Sequence, residues 1–320
     1  LAQERILLRT VIYHLPVAVF VKDRHARKIL VNAADLAYAG AESEDEVLGK
    51  TDFEVYPPDL ARVYFASDQA VLQTGQEVLE REERLVDAAG REQWRVASKV
   101  PLRDREGRIV GLVGLARDVT GRRAGEAAQR LAYAQEEATN SILRLSLNDR
   151  PIADILDKAL AHILAVPELG LMRRGAIFLL GDDQRSLALG ASRGLPEELR
   201  ARCAEVPVQD CNCWQSPAGR HVHYFSAGTP ASDAVCFRLA PDAHYCVPIQ
   251  ADERLMGVLT VCIPEAQPRD GRVEGVLAAI ANALGSVIAR HHAEAETLRL
   301  LNVAGETRRE HVECWRDVTR

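Results

Sequence analysis

The chain has 320 residues, 47% of them hydrophobic, and a formal net charge of −6, which fits about two globular domains with their own cores. No Lys/Arg cluster forms a nucleic-acid footprint and no segment reads as a secretory leader. The longest uncharged stretch, residues 275–289, is short for a bilayer span and carries Asn282 and Ser286, so it reads as a buried helix and the chain is expected in the cytoplasm.

The elements of the first half follow from turn chemistry and alternation. Val17 to Asp23 reads as a strand, Asp23-Arg24-His25-Ala26 as its turn, and Lys28 to Asn32 as the return strand. Asn32 then caps a short helix through Asp35-Leu36-Ala37, and Ser43-Glu44-Asp45-Glu46 has the form of a capping box. A helix is expected after Pro57-Pro58, over residues 59–73, stopped by Gly75. Three strands follow, at about 77–86, 91–102 and 108–118, separated by Asp87-Ala88-Ala89-Gly90 and Asp104-Arg105-Glu106-Gly107. The last of them closes on Asp118-Val119-Thr120 and runs directly into a charged helix.

This order resembles a PAS domain over roughly residues 10–120. Gly49-Lys50-Thr51-Asp52-Phe53, Tyr56-Pro57-Pro58 and Lys99-Val100-Pro101-Leu102 strengthen the resemblance. It implies an α+β fold with a five-stranded antiparallel sheet, holding a ligand or partner and passing strain to the helix that leaves the sheet. The segment has no cysteine, so a covalent flavin adduct is not expected. His14 and His25, its two histidines, lie off the helix that carries the iron ligand in haem-binding relatives, so haem is not expected either. The favoured reading is a PAS core filled by its own side chains, with a small non-covalent ligand as the alternative.

Residues 121–149 read as a helical linker. Leu131, Ala134, Ala138, Ile142 and Leu145 recur at spacings of a heptad seam that is expected to pair in a parallel homodimer; a lone amphipathic helix lying on one domain is the alternative.

Pro151 opens an amphipathic helix through Ile152, Ile155, Leu156, Leu160 and Ile163. Strands are expected at Gly175 to Leu180, Ser186 to Ser192, His244 to Ile249 and Arg254 to Val261, with a helix through Leu199 and Cys203 and a closing helix from about Val273 to Leu301. Ser192-Arg193-Gly194-Leu195, Val247-Pro248-Ile249 and Gly257-Val258-Leu259 resemble a GAF domain over residues 150–292, which implies an antiparallel sheet with helices on one face. The division expected is thus 1–120, 121–149, 150–292 and a signalling helix over 293–320. Because the chain begins at Leu1 and not Met, it is expected to be part of a longer protein.

All seven cysteines lie at or beyond Cys203, an odd number unsuited to a secreted disulfide framework. Cys211-Asn212-Cys213, Cys236 and Cys246 are interleaved with His221, His223 and His244. Thiolate and imidazole are ligands for zinc, and four thiolates can hold an iron–sulfur cluster. His244 and Cys246 lie two apart on a strand and share a face. Three readings stand: a metal or cluster on Cys211, Cys213, Cys236 and Cys246; a redox-switched thiol pair; and buried reduced thiols beside an ordinary ligand pocket, which is favoured. Cys203 and Cys262 read as core. The resemblance also admits a thiol methionine sulfoxide reductase using Cys211, Cys213 and Cys236.

No phosphate-binding loop, kinase nucleotide motif or phosphoacceptor histidine context is present. The expected function is a sensory input module of a bacterial signalling protein of the histidine kinase or diguanylate cyclase type, not itself an enzyme. It would bind a small molecule, a metal or a redox signal in the GAF domain and act on a downstream output domain or response regulator. A dimerisation scaffold without a ligand is the rival.

Overall fold

A computed structural model describes residues 2–86, 92–147, 150–208, 221–226, 243–265 and 267–318. Contacts divide the chain into two units, residues 1–127 and 128–320.

In the first unit, helix α1 (Ala2–His14) precedes strands β1 (Ala18–Asp23) and β2 (Lys28–Val31). Asn32 ties these pieces together. Its Oδ1 accepts from the Val19 and Asp35 amides, both at 3.0 Å, and its Nδ2 donates to the Val17 carbonyl at 2.9 Å and the Ile12 carbonyl at 3.0 Å. Asn32 is thereby both the N-cap of α2 (Ala33–Ala39) and a buried clamp on the chain entering β1. The Ser43/Glu46 capping box forms on a single 3₁₀ turn, Glu44–Glu46, and a second box, Thr51/Glu54, starts the short α3 (Asp52–Val55). Helix α4 (Pro58–Thr74) ends where Gly75 takes a left-handed conformation at φ 68°. Strands β3 (Val78–Val86), β4 (Glu92–Arg103) and β5 (Ile109–Asp118) complete an antiparallel sheet ordered β2-β1-β5-β4-β3. Gly114 on β5 lies directly opposite Phe20 on β1, where any Cβ would collide with the Phe20 ring, so glycine here lets that ring lie across the sheet.

Helix α5 (Thr120–Leu145) leaves β5 at once. In the second unit come α6 (Ile152–Leu164), β6 (Gly175–Leu180), β7 (Ser186–Arg193), α7 (Glu197–Arg202), β8 (Glu205–Pro207), β9 (His223–Phe225), β10 (His244–Ala251), β11 (Arg254–Cys262) and α8 (Gly271–Val318). The strands form an antiparallel sheet ordered β8-β7-β6-β11-β10-β9. Its main core joins Ile177, Tyr245, Val247, Ile249, Leu259 and Val261 to Ile155, Leu156, Leu160 and Ile163 of α6 and to Leu277, Ile280, Leu284 and Ile288 of α8. Gly285 lets α8 approach the backbone of Gln250 more closely than a side chain would permit. Helix α8 is long and apolar enough, over Gly271–Leu301, to cross a membrane by length and composition, but half of its most apolar window is buried within the protein. It continues past the expected end at Leu301.

The α5 seam corrects one expectation. Ala138 and Ile142 belong to the core of the second unit, Leu131 and Leu145 pack against it, and Ala134 is buried. The face expected to pair with a second copy is covered by α5's own chain. A spacing of three and four marks an apolar stripe but does not say what covers it.

Candidate functional site

The interior of the first unit is ionic. Lys22 on β1, Lys28 on β2 and Lys99 on β4 point inward with Asp35 on α2, Asp52 on α3 and Asp68 on α4, and all six are buried. Lys22 Nζ donates to both Asp52 oxygens at 2.6 Å and to Asp68 Oδ2 at 2.5 Å. Lys99 Nζ donates to Asp68 Oδ1 at 2.6 Å, so Asp68 bridges two lysines. Lys28 Nζ donates to Asp35 Oδ2 at 2.5 Å and to the Tyr56 hydroxyl at 3.1 Å, and lies over the rings of Phe20 and Tyr56. Charges taken out of water need such pairing, since an unpaired one costs several kcal/mol, roughly. Burial raises the Asp52 carboxyl above its ordinary value, helped by Asp68 and opposed by Lys22 and Lys28. Burial also raises the phenols of Tyr56 and Tyr64.

All of these ionic groups but Asp68 line a cavity of about 40 Å³, together with Phe20, Tyr38, Tyr64 and Arg95. The interior expected to be filled by its own side chains therefore keeps a space. Ionic pairs held at hydrogen-bond distance cannot spread to fill a gap as aliphatic chains do. His14 ends α1 and His25 lies in the β1–β2 turn, and neither lines this cavity.

Two cavity-wall residues reach the root of α5. The Arg95 guanidinium lies 4.1 Å from the centroid of the Tyr38 ring, and the Tyr38 hydroxyl accepts from the Asp118 amide at 2.8 Å. Asp118 Oδ1 in turn accepts from the Thr120 amide at 2.7 Å. The Trp94 amide donates to Thr120 Oγ1 at 2.8 Å, while the Val119 amide donates to the Trp94 carbonyl at 2.9 Å. Arg123, in the first turn of α5, lies 3.8 Å over the Trp94 ring and pairs with Glu82 at 2.8 Å. The helix is thus fastened to β3 and β4, and the strand it leaves, β5, is bonded at its last residue to a cavity wall.

In the second unit, Cys211, Cys213 and Cys236 lie outside the described residues. Cys246, His223 and His244 are described. Cys246 lies opposite His223 on β9 and opposite Thr260 on β11, and His244 lies opposite Phe225 and Cys262. Directly paired residues share a face, so His223, Phe225, His244, Cys246, Thr260 and Cys262 form two adjacent rows on the sheet face away from the main core. Cys246 joins a smaller buried cluster with Cys203, Phe178 and Val258, and its Sγ lies 3.7 Å from Thr260 Oγ1. The Phe225 ring stacks on His244 at 4.9 Å and lies 6.3 Å from His223, whose buried Nε2 has no hydrogen-bond partner among the described residues. Among the described residues no group of three or more His, Cys, Asp or Glu side chains is arranged to hold a metal ion. Cys203 and Cys262 are buried, as expected of core positions.

The ionic cavity is the feature that sequence reasoning missed. Lys22 and Lys28 flank a turn and Asp68 sits in a polar helix, so each reads alone as a solvated surface charge. The available signal was parity: Lys22 shares its strand face with Phe20.

Residues 13–124 match the PAS fold family. A diguanylate cyclase of Vibrio cholerae serotype O1 is 30% identical over 119 residues, which is 37% of this chain and 37% of that protein, so the chain spans little over a third of the length of that relative. The PAS domain of BvgS from Bordetella pertussis is similar at 28% identity, covering 37% of this chain and 88% of that one, with a TM-score of 0.30. The GAF domain of a phosphoenolpyruvate-protein phosphotransferase from Coxiella burnetii is similar at 15% identity, covering 53% of this chain and 98% of that one, with a TM-score of 0.43. Residues 13–124 thus carry the PAS fold, on the five-stranded sheet β2-β1-β5-β4-β3, and the six-stranded unit that follows is similar in fold to GAF domains, in which sense it is called GAF-like below.

Proposed function

We propose that the chain is the sensory input part of a signalling protein in which occupancy of the PAS cavity changes how α5 is held. The observation that supports this most directly is the Tyr38 hydroxyl: Tyr38 walls the cavity and also accepts from the amide of Asp118, the last residue of β5, two positions before α5 begins. A molecule displacing Arg95 or Tyr38 alters that bond and the pairing of Asp118 with Thr120. It shifts the population of two poses of α5, which runs on into the core of the GAF-like unit. The signal then passes through α8 to an output domain elsewhere in a longer cytoplasmic protein, acting as a homodimer or on a response regulator. The similarity to a diguanylate cyclase makes a cyclase the first output to look for.

A cavity-filling substitution stands in for occupancy without naming a ligand. Ala97→Leu, on the cavity wall, is expected to change amide exchange of residues 118–125 at least severalfold. The change should vanish when Tyr38→Phe is added, since the hydroxyl acceptor is gone. Exchange at 118–125 that ignores Ala97→Leu would sink the relay.

A second input is supported by the shared face of His223, His244 and Cys246 in the GAF-like unit. There a metal, with Cys211, Cys213 and Cys236 as further ligands, or a redox change is the proposed stimulus. Metal analysis and an absorption spectrum on protein purified without oxygen or chelator test it. Stoichiometric zinc or iron that is lost in Cys211→Ser with Cys213→Ser supports it, and a colourless, metal-free protein whose output ignores oxidants removes it.

A further inference from the structure

The cations of the PAS interior are not equally committed. Lys22, Lys28 and Lys99 each donate to a buried aspartate at 2.5–2.6 Å. Arg95 is different. Its Nη1 donates to the Tyr64 hydroxyl at 3.1 Å and its Nη2 to Gln93 Oε1 at 3.2 Å, both neutral acceptors. Its Nε–H is buried and has no acceptor among the described residues. A guanidinium offers its donors as a fork shaped for a carboxylate, and a buried N–H left unpaired is costly. Arg95 therefore has one full charge, one idle buried donor and a position on the cavity wall.

Among the described residues that wall the cavity, Glu83 is the one carboxylate besides the buried Asp35 and Asp52. It lies directly across the β3–β4 ladder from Arg95, on the same face. Among the described residues it makes no ion pair with Arg95, although it stands where an incoming anion would meet competition.

We infer that the PAS cavity takes a small carboxylate, received by the Arg95 Nε–H, with Glu83 as the internal rival that sets how tightly it is held. This rests on the reading of the cavity as an input site. A cavity of about 40 Å³ admits a few heavy atoms, given that one water needs roughly 10–15 Å³ on the same measure. The aromatic wall of Phe20, Tyr38 and Tyr64 suits the flat, apolar part of such a molecule. Because Arg95 also lies on the Tyr38 ring, the bound carboxylate acts on the same residue that holds Asp118.

The test is calorimetric titration of the full chain with acetate and pyruvate, each beside its neutral amide: acetamide and pyruvamide. At least one acid is expected to bind ten times or more tighter than its amide. Arg95→Gln should abolish that preference, Arg95→Lys should restore only part of it, and Glu83→Gln should strengthen acid binding severalfold. Melting curves of each variant exclude misfolding, and Glu83→Gln keeps the inference testable if Arg95→Gln fails to fold. Amides binding as tightly as acids would overturn the carboxylate while leaving the cavity as an input site. Binding of neither class overturns it too, and the Ala97→Leu exchange experiment then decides separately whether the cavity signals at all.

Discussion

The two units use the same scaffold, an antiparallel sheet with helices packed on it, and fill it with opposite chemistry. The GAF-like unit packs Ile, Leu and Val of α6 and α8 against one sheet face. The PAS domain puts three lysines and three aspartates in the corresponding place, around a cavity. Apolar burial contributes stability in proportion to area and tolerates some repacking. Buried ion pairs contribute little net stability but demand one geometry, because moving either partner strands a charge. The first unit's interior is thus fixed in one geometry by its ion pairs, and the second's is held by apolar packing of its helices.

Breaking each core at one residue gives the largest effects. Asp68→Ala leaves Lys99 without its carboxylate and Lys22 with one instead of two. The expected loss is about 3–5 kcal/mol for the PAS domain, read from urea dependence of hydrogen exchange within residues 13–124. Replacing Asp68 and Lys99 together, with Asp68→Leu and Lys99→Met, should recover most of that loss, because apolar side chains of similar volume need no partner and Lys22 keeps Asp52. A double variant as unstable as Asp68→Ala alone would mean that the ionic interior is structural and not a device of the cavity.

The counterpart in the other unit is Ile142→Ala on α5. Ile142 is fully buried in the core of the GAF-like unit, and its truncation should cost that unit about 2–5 kcal/mol while leaving the sedimentation behaviour of the folded protein unchanged. Dissociation of a dimer without loss of stability would return the seam to an intermolecular role.

Much of the PAS domain was readable because its punctuation is local. Gly75, Asn32, the Asp104–Gly107 turn and the Ser43/Glu46 capping box act on neighbours within a few residues, and the observed strands fall within a residue or two of those expected. What was not readable depends on distance. Asp68 is 46 positions from Lys22 and 31 from Lys99, and no pattern along the chain joins them. The α5 seam failed for the same reason, since its periodicity is local and its partner is not. In the GAF-like unit the shared face of His244 and Cys246 followed from strand parity, but the registration of His223 opposite Cys246 needed the fold of β9.

Cys246 sharpens the comparison at a smaller scale. It lies in an apolar cluster yet faces the Thr260 hydroxyl. If it serves only as a small buried hydrophobe, Cys246→Val should cost less than about 1.5 kcal/mol in thermal or urea unfolding. A larger loss accompanied by falling zinc or iron content would identify it as a ligand.

The smallest effects are in pH dependence, where the PAS domain should show two opposite slopes. Glu46 and Glu54 accept backbone amides in the capping boxes, which holds their carboxyls below the ordinary value of 4.5. A carboxyl lowered by folding contributes stability above its unfolded value, lost as the pH falls through its folded value. Asp52 is raised by burial above its ordinary 3.8, so its contribution is present below that value and is lost as the pH rises through the folded one. Glu46→Gln with Glu54→Gln should therefore flatten the acid limb of a stability profile measured by urea unfolding from pH 3 to 7. Asp52→Asn should steepen the rise of stability with pH, because the native state no longer holds that extra proton. If Asp52→Asn instead flattens the profile as the two glutamates do, the Lys22 pairing outweighs burial and Asp52 is held charged. The cavity then has a permanently ionic wall, and its affinity for an anion should be insensitive to pH over that range.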